Sequence, residues 1–166
     1  MRSSDSRSAS TAHDEMAHRN AATTRHDVDE AWNKGNVDVY EESLAPDCIA
    51  HNPALPSDIQ GRESLKQMVL AFRSALPDLH VTLDDIVADD DKVVTRWTAT
   101  GTHQGWLLGL EPSHRTLIIT GITIDRFADG QIVESWTYWD DSALRAIGWK
   151  GVGDDRYAGA GETSRG

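Results

Sequence analysis

The stretch "GITIDRFADGQIVESWTYWDD", residues 121–141, decides the fold. Two runs rich in β-branched and aromatic residues flank the turn signal Ala128-Asp129-Gly130, which predicts an antiparallel hairpin. A loop of that size lets Phe127 oppose Val133 and sets Arg126 opposite Glu134, an opposite-charge pair that supports the register. Thr123 then faces Thr137, Asp125 faces Ser135, and Gly121 faces Trp139. Because strand side chains alternate, these residues share one face, while Ile122, Ile124, Trp136 and Tyr138 form the other, more apolar one.

Working outward, "LHVTLDDIVADD" (79–90), "KVVTRWTATGTH" (92–103) and "RTLIITGITIDRF" (115–127) read as further strands separated by turn signals. The first half of the chain is helical. "HDVDEAWNKGN" ends a helix at Gly35, "VDVYEESLA" is a short helix closed by Pro46, and "QGRESLKQMVLAFRSALPD" repeats Leu65, Met68, Val69, Phe72 and Leu76 at helical spacing until Pro77. A last short helix, "DDSALRAIG", takes Asp140 or Asp141 as its N-cap and Gly148 as its stop, so Asp140 reads as a cap rather than a catalyst. Helices followed by a run of antiparallel strands make an α+β domain over residues 22–149. Residues 1–21 and 150–166 are polar, without apolar periodicity, and read as mobile tails.

The net charge of −11 is concentrated in the domain: residues 27–149 hold nine basic and 21 acidic groups. Such a surface repels phosphate backbones, so nucleic acid is not an expected partner. No apolar run approaches the roughly 18 residues of a membrane span, and the N-terminus lacks the apolar core of a secretory signal, so a soluble, cytoplasmic protein is expected. The lone Cys48 excludes an internal disulfide and reads as a small buried hydrophobe, and no Cys/His spacing suggests a metal.

The segments "AWNKGN", "LAPDCIAHNP", "QGRESLKQMV", "VVTRWTATGTHQG", "GITIDRFADGQIVESW" and "DDSALRAIG", in that order, resemble the SnoaL-like polyketide cyclase family over roughly residues 28–148. The resemblance implies a cone-shaped barrel of the nuclear-transport-factor-two-like superfamily, in which helices and a strongly bent, mostly antiparallel sheet enclose a deep pocket. It also implies aldol-type ring closure of a small hydrophobic polyketide substrate without metal or organic cofactor, and self-association through the outer sheet. In the family pattern a carboxylate directly follows the Trp of the last strand, a His precedes that Trp, and another His lies on the preceding strand. Here Thr137 and Ser135 flank Trp136, and Thr123 stands on the preceding strand. A hydroxyl is a poor base near neutral pH, so the inherited mechanism does not carry over.

Asp125, one cross-strand pair along on the same face, is the candidate relocated base, and His51 of "AHNP" is the alternative acid or base. Asn52, Arg96, His103, Trp106, Thr123, Ser135, Thr137 and Trp139 complete the candidate substrate-binding set. If the face bearing Thr123 and Thr137 turns inward, the apolar face of Ile122, Ile124, Trp136 and Tyr138 is left for a second subunit, and a homodimer through the sheet is expected. Two other readings stay open: a binding protein that uses the same pocket without chemistry, and a related hydroxylase or isomerase. An epoxide hydrolase is disfavoured, because Asp125 and Arg126 are adjacent and so point to opposite faces.

Overall fold

The computed structural model describes residues 4–152. Helix α1, Ser4–Asp27, runs directly into a π-helical turn, Val28–Asn33. A 3₁₀ turn, Val37–Val39, leads into the single-turn α2, Tyr40–Ser43, and strands β1, Leu44–His51, and β2, Ile59–Gln60, follow. Helix α3, Arg62–Ala75, precedes four long strands: β3, His80–Asp89; β4, Lys92–Thr102; β5, Thr116–Ala128; and β6, Gln131–Trp139. The chain closes on α4, Ser142–Ala146. The architecture is mixed α+β, with six strands in one curved, unclosed sheet.

Strand order is β2-β1-β6-β5-β4-β3. The β3 to β6 meander is antiparallel throughout, whereas β1 lies parallel to β6, with Ala50 against Ser135 and His51 against Trp136. Register shifts at Leu83/Asp85, Leu44/Ile49 and Arg126/Phe127 interrupt the ladders, and such irregularities bend a sheet. The hairpin pairs Thr123 with Thr137, Asp125 with Ser135, Gly121 with Trp139 and Arg126 with Glu134. Phe127 meets Ile132, not the expected Val133, because the irregularity beside the turn absorbs one residue of β6.

Two elements depart from the sequence reading. A helix begins at Ser4, where a mobile tail over 1–21 was expected. Neither Gly nor Pro occurs before Gly35, and Ala, Met, Glu and Arg favour helix even where residues 8–15 stay exposed. The helix also finds a partner, since the His13 ring lies 3.0 Å from the Asp90 carboxylate in the β3–β4 turn. The second departure is β1: the chain leaves helix at Ser43 and continues as a strand through Pro46, so Leu44 and Ala45 are strand residues rather than the end of a helix. The expected C-terminal tail lies outside the described residues from position 153 onward.

The core forms two clusters. Ala31, Tyr40, Leu44, Ala45, Cys48, Val69, Val93, Phe127 and Ile132 pack at the hairpin-turn end of the sheet. Phe72, Ala75, Leu76, Leu79, Leu107, Leu117, Ile119 and Leu144 pack toward α4. Trp32 and Met68 pack against both. Helix α3 contributes to each because its buried positions, Val69, Phe72 and Ala75, recur at helical spacing. The end of the first helical segment is clamped in place: Arg73 donates to the carbonyls of Trp32 (2.5 Å) and Asn33 (3.0 Å). The Asn33 amide then pairs with both backbone groups of Val81 on the edge strand, at 2.7 and 3.0 Å.

Trp97 of β4 lies across Gly121 of β5, so closely that a Cβ there would collide with the indole ring. We expect Gly121→Ala to displace Trp97 and to destabilise the fold by about 1–3 kcal/mol, the usual cost of overpacking. A urea midpoint shifted at constant slope would report it, and an unchanged midpoint would contradict this packing.

Candidate functional site

Between the two core clusters lies a cavity of about 190 Å³. That is smaller than the roughly 300–1,000 Å³ typical of drug-sized sites, so the enclosed part suits a small ring system or the end of a longer molecule. The odd-numbered residues of the meander form one wall: Thr95, Trp97 and Ala99 from β4, Ile119, Thr123 and Asp125 from β5, and Ser135, Thr137 and Trp139 from β6. The opposite wall comes from Thr24, Asp27, Val28 and Trp32 with Met68 and Phe72 of α3. Phe72 meets Trp32 and Trp139 edge-on, with ring centroids 6.1 and 6.0 Å apart.

Among the described residues neither Lys nor Arg lines this cavity, yet two carboxylates do. Asp125 is 7% exposed and accepts a hydrogen bond from the Ser135 hydroxyl across the strand pair. Burial pushes its carboxyl up to about 6, against the lowering effect of Ser135. Asp27, the last residue of α1, is 5% exposed, and neither of its carboxylate oxygens finds a hydrogen-bond partner among the described residues. Burial raises it further, to about 7. The nearby Ser43 hydroxyl, which donates to the Val39 carbonyl at 3.3 Å, counters part of the shift, and the charge of Asp125 adds to it. Tyr40 is buried beside both and its phenol is driven well above its usual range, first by burial and then by the two carboxylates, so it remains a proton donor.

A hydroxyl chain runs along the floor. The Trp97 indole donates to Thr123 at 3.0 Å, and the Thr123 and Thr137 hydroxyls lie 3.0 Å apart. An acceptor already engaged by an N–H is polarised toward donating, so the chain favours Thr123 donating to Thr137 and leaves the Thr137 proton for the cavity.

His51, at the end of β1, reaches the cavity wall but is held between two carboxylates, Glu134 at 2.8 Å and Asp58 at 3.0 Å, and stacks on Trp136. The hydrogen bond to Glu134 raises it above the ordinary histidine range, with Asp58 reinforcing the effect. With a carboxylate on each ring nitrogen, the imidazole is held in place rather than left free to act as a base toward a ligand. Asn52 also lines the cavity, and its side-chain oxygen is used to accept the Ala54 amide at 2.9 Å.

Three of the expected binding residues lie elsewhere. Arg96 is even-numbered on β4 and points to the outer face, 3.7 Å from Asp84, because the odd-numbered set faces inward. His103 is completely buried outside the cavity, where its Nδ1 accepts from the Ser113 backbone at 3.2 Å and lies 3.0 Å from the Ser113 hydroxyl, pinning the loop before β5. Trp106 is 65% exposed in that same loop and does not line the cavity. Asp140, read as a cap, accepts the Ser142 amide at 2.8 Å, and Asp141 holds the N-cap position with its carboxylate on Arg145.

Asp27 and Thr95 were not singled out from sequence. For Asp27 a signal existed: Asn20, Thr24, Asp27 and Ala31 recur at helical spacing and all are buried, so a carboxylate sits in the inward stripe of the helix.

A carboxyl whose folded value is raised destabilises the fold as pH climbs from its unfolded value to its folded one. For Asp27 that window runs from about 4 to about 7. We expect Asp27→Asn to stabilise the protein by a few kcal/mol at pH 8, and by less at pH 5, where the native carboxyl is already protonated. Thermal unfolding at the two pH values checks both the sign and the difference.

The model of the SnoaL-like polyketide cyclase family matches residues 22–146. Among solved structures, a candidate SnoaL-like polyketide cyclase from Jannaschia sp. CCS1 is 25% identical, covering 80% of this chain and 92% of its own, with a TM-score of 0.73. IdmH, a candidate polyketide cyclase from Streptomyces antibioticus, is 31% identical over 77% of this chain and 96% of its own, with a TM-score of 0.66. AclR, a candidate hydroxylase from Streptomyces galilaeus, is 27% identical over 79% of this chain and 95% of its own, with a TM-score of 0.68. No curated protein sequence matches the chain.

Proposed function

The chain belongs to the SnoaL-like polyketide cyclase family, and on that premise we propose that it is a general acid–base enzyme, needing no cofactor, that closes a ring in a small hydrophobic polyketide-type carbonyl compound. One observation carries the reading: Asp125 is a buried carboxylate, raised to about 6, that accepts from one hydroxyl and faces a largely apolar cavity with neither Lys nor Arg among its described lining residues. Near neutral pH it is ionised yet poorly solvated, which is the condition of an effective base. It removes the proton beside a substrate carbonyl; the enolate carbon attacks a second carbonyl of the same chain, and the resulting alkoxide takes a proton back. Substrate and product are isomers, and the aromatic walls hold the two reacting carbons together. Ser135 orients the carboxylate, and Thr137 offers a hydroxyl toward developing negative charge. The positions that hold acid and base in the family pattern carry hydroxyls here, so the base has moved one strand pair along the same face.

The likeness to Streptomyces proteins supports a setting in secondary metabolism, and the cytoplasm is the proposed location. The outer sheet face exposes Ile118, Ile122 and Tyr138 at 60, 47 and 62%. We assign it to a second copy of the chain, and sedimentation of the wild type against Ile122→Lys checks this: a monomer–dimer difference is expected.

The functional test uses a panel of linear and bicyclic polyketide esters, followed by mass-resolved chromatography. Asp125→Asn is expected to lose about 10²–10⁴ in turnover while still binding ligand. Wild-type turnover should rise as pH passes through about 6, because the ionised carboxylate is the active form. His51→Ala should retain most of it. Full turnover by Asp125→Asn would overturn the assignment, and tight binding with no turnover by the wild type would make the protein a carrier.

A further inference from the structure

Asp27 is the one carboxylate among the described cavity residues that the proton-abstraction reading leaves without work. It is 95% buried, lines the same cavity as Asp125, and has no hydrogen-bond partner for either oxygen among the described residues. The Thr24 hydroxyl, one turn earlier on α1 and on the same wall, is likewise unpartnered. Among the described residues no hydrogen bond anchors its oxygens, and the nearby Ser43 hydroxyl is engaged by the Val39 carbonyl. The backbone also singles the position out: Asp27 ends the α-helix where the π turn begins, and π turns interrupt helices disproportionately at functional sites.

Two carboxyls in one cavity cannot both ionise cheaply, and their surroundings separate them. Asp125 has Ser135 donating to it, which favours its charged form. The Ser43 hydroxyl near Asp27 is turned to the Val39 carbonyl and offsets only part of the effect of burial, and the charge of Asp125 adds to that effect, so the proton resides on Asp27. A neutral carboxyl in an apolar wall is a short, strong donor toward an oxyanion, and it becomes stronger as negative charge develops in front of it.

Resting on the reading of Asp125 as base, we propose that Asp27 is a second catalytic residue: the carboxylic acid that donates to the substrate carbonyl oxygen as it becomes an enolate. The substrate class narrows accordingly, to carbonyl compounds whose enolisable oxygen is directed at the α1 wall while the adjacent C–H is directed at β5. No proton need leave the site in the first step: one moves from carbon to Asp125 as the hydrogen bond from Asp27 to oxygen shortens. The alkoxide formed on ring closure is then protonated by one of the two acids.

The other titratable groups around Asp27 are Asp125 from β5 and Tyr40 from α2, with Cys48 of β1 beside Tyr40. His51, held by Glu134 and Asp58, lies at the end of β1. The test removes the first and controls for the rest. In Asp125→Asn, the amide stands in for the base after it has taken its proton, and 2,4-dinitrophenol, which stays a phenolate across the whole pH range used, serves as an enolate mimic whose binding is read from its colour. Affinity is measured by spectral titration from pH 5 to 9. If Asp27 is the donor, affinity falls about tenfold per pH unit once Asp27 ionises, since carboxylate and phenolate repel. In Asp27→Asn/Asp125→Asn, which retains His51, Tyr40 and Cys48, that fall disappears.

A profile in Asp125→Asn that is flat, or that is unchanged in the double variant, overturns the proposal; so does failure of the phenol to bind at any pH. The flat profile alone suffices if the double variant does not fold. Because the titration needs no turnover, its outcome is separate from that of the ester panel. The expected slope with an active Asp125→Asn would sink the base assignment and leave the donor standing.

Discussion

The pairing of β5 with β6 is the constraint on which the pocket depends. Side chains alternate along a strand, so sliding one strand by a single residue would turn Asp125 or Ser135 outward and bring isoleucine or tyrosine in. The register is held from both ends. Arg126 and Glu134 pair beside the turn at 2.9 Å, and at the other end Gly121 lets Trp97 lie flat between its neighbours on the inner face. The irregularity at Phe127 falls outside this span, so the hairpin turn takes up the extra residue without moving the working face. Thr123, Thr137, Asp125 and Ser135 are therefore placed by backbone pairing, before any contact with a ligand.

That dependence explains what could be read from sequence. The strands and α3 announce themselves through local periodicity, and the cross-strand partners from 121 to 126 follow from a charge pair and a turn. Parity alone did not say which face is inward: by composition the even-numbered face is the more apolar, and the inward assignment rested on the family resemblance. Once β5 is fixed, β4 follows through its pairing, and Arg96 must point outward. His103 and Trp106 lie beyond the end of β4, where alternation no longer constrains direction, and the loop buries one and exposes the other. The β1 strand was hidden because its partner is distant in sequence and parallel, and nothing local marks such a pairing. Asp27 escaped notice for a different reason. In "HDVDEAWN" an acid beside other acids looks like solvated surface, and only the spacing from Thr24 to Ala31 sets it apart.

The electrostatics of the cavity are one-sided. Two basic groups near its rim, Arg126 and His51, form a continuous chain of pairs with Glu134 and Asp58, and neither pairs with the two inner acids. Stability is given up for this arrangement, since charged carboxylates in an apolar wall weaken the native state as pH rises. Proteins usually tolerate such a cost where activity requires it. The apolar clusters on either side, joined through Trp32 and Met68, supply the packing that lets the fold absorb it.

The parallel ladder between β1 and β6 also sets a timetable. The His51 and Glu134 side chains that join across it are 83 positions apart. Loop closure over such a separation costs entropy before any contact repays it, so this seam is a late event in folding, whereas the β3 to β6 meander can assemble from neighbours. During synthesis the helices and β1 emerge well before their strand partner exists. Leu44, Cys48 and Trp32 must wait with apolar surface uncovered until the last strand arrives, and only then does the wall carrying Asp27 close over the wall carrying Asp125. A nascent chain of this protein is therefore most vulnerable to aggregation in the interval between completion of α3 and release of β6, and assembly of the two acids into one site coincides with completion of the fold.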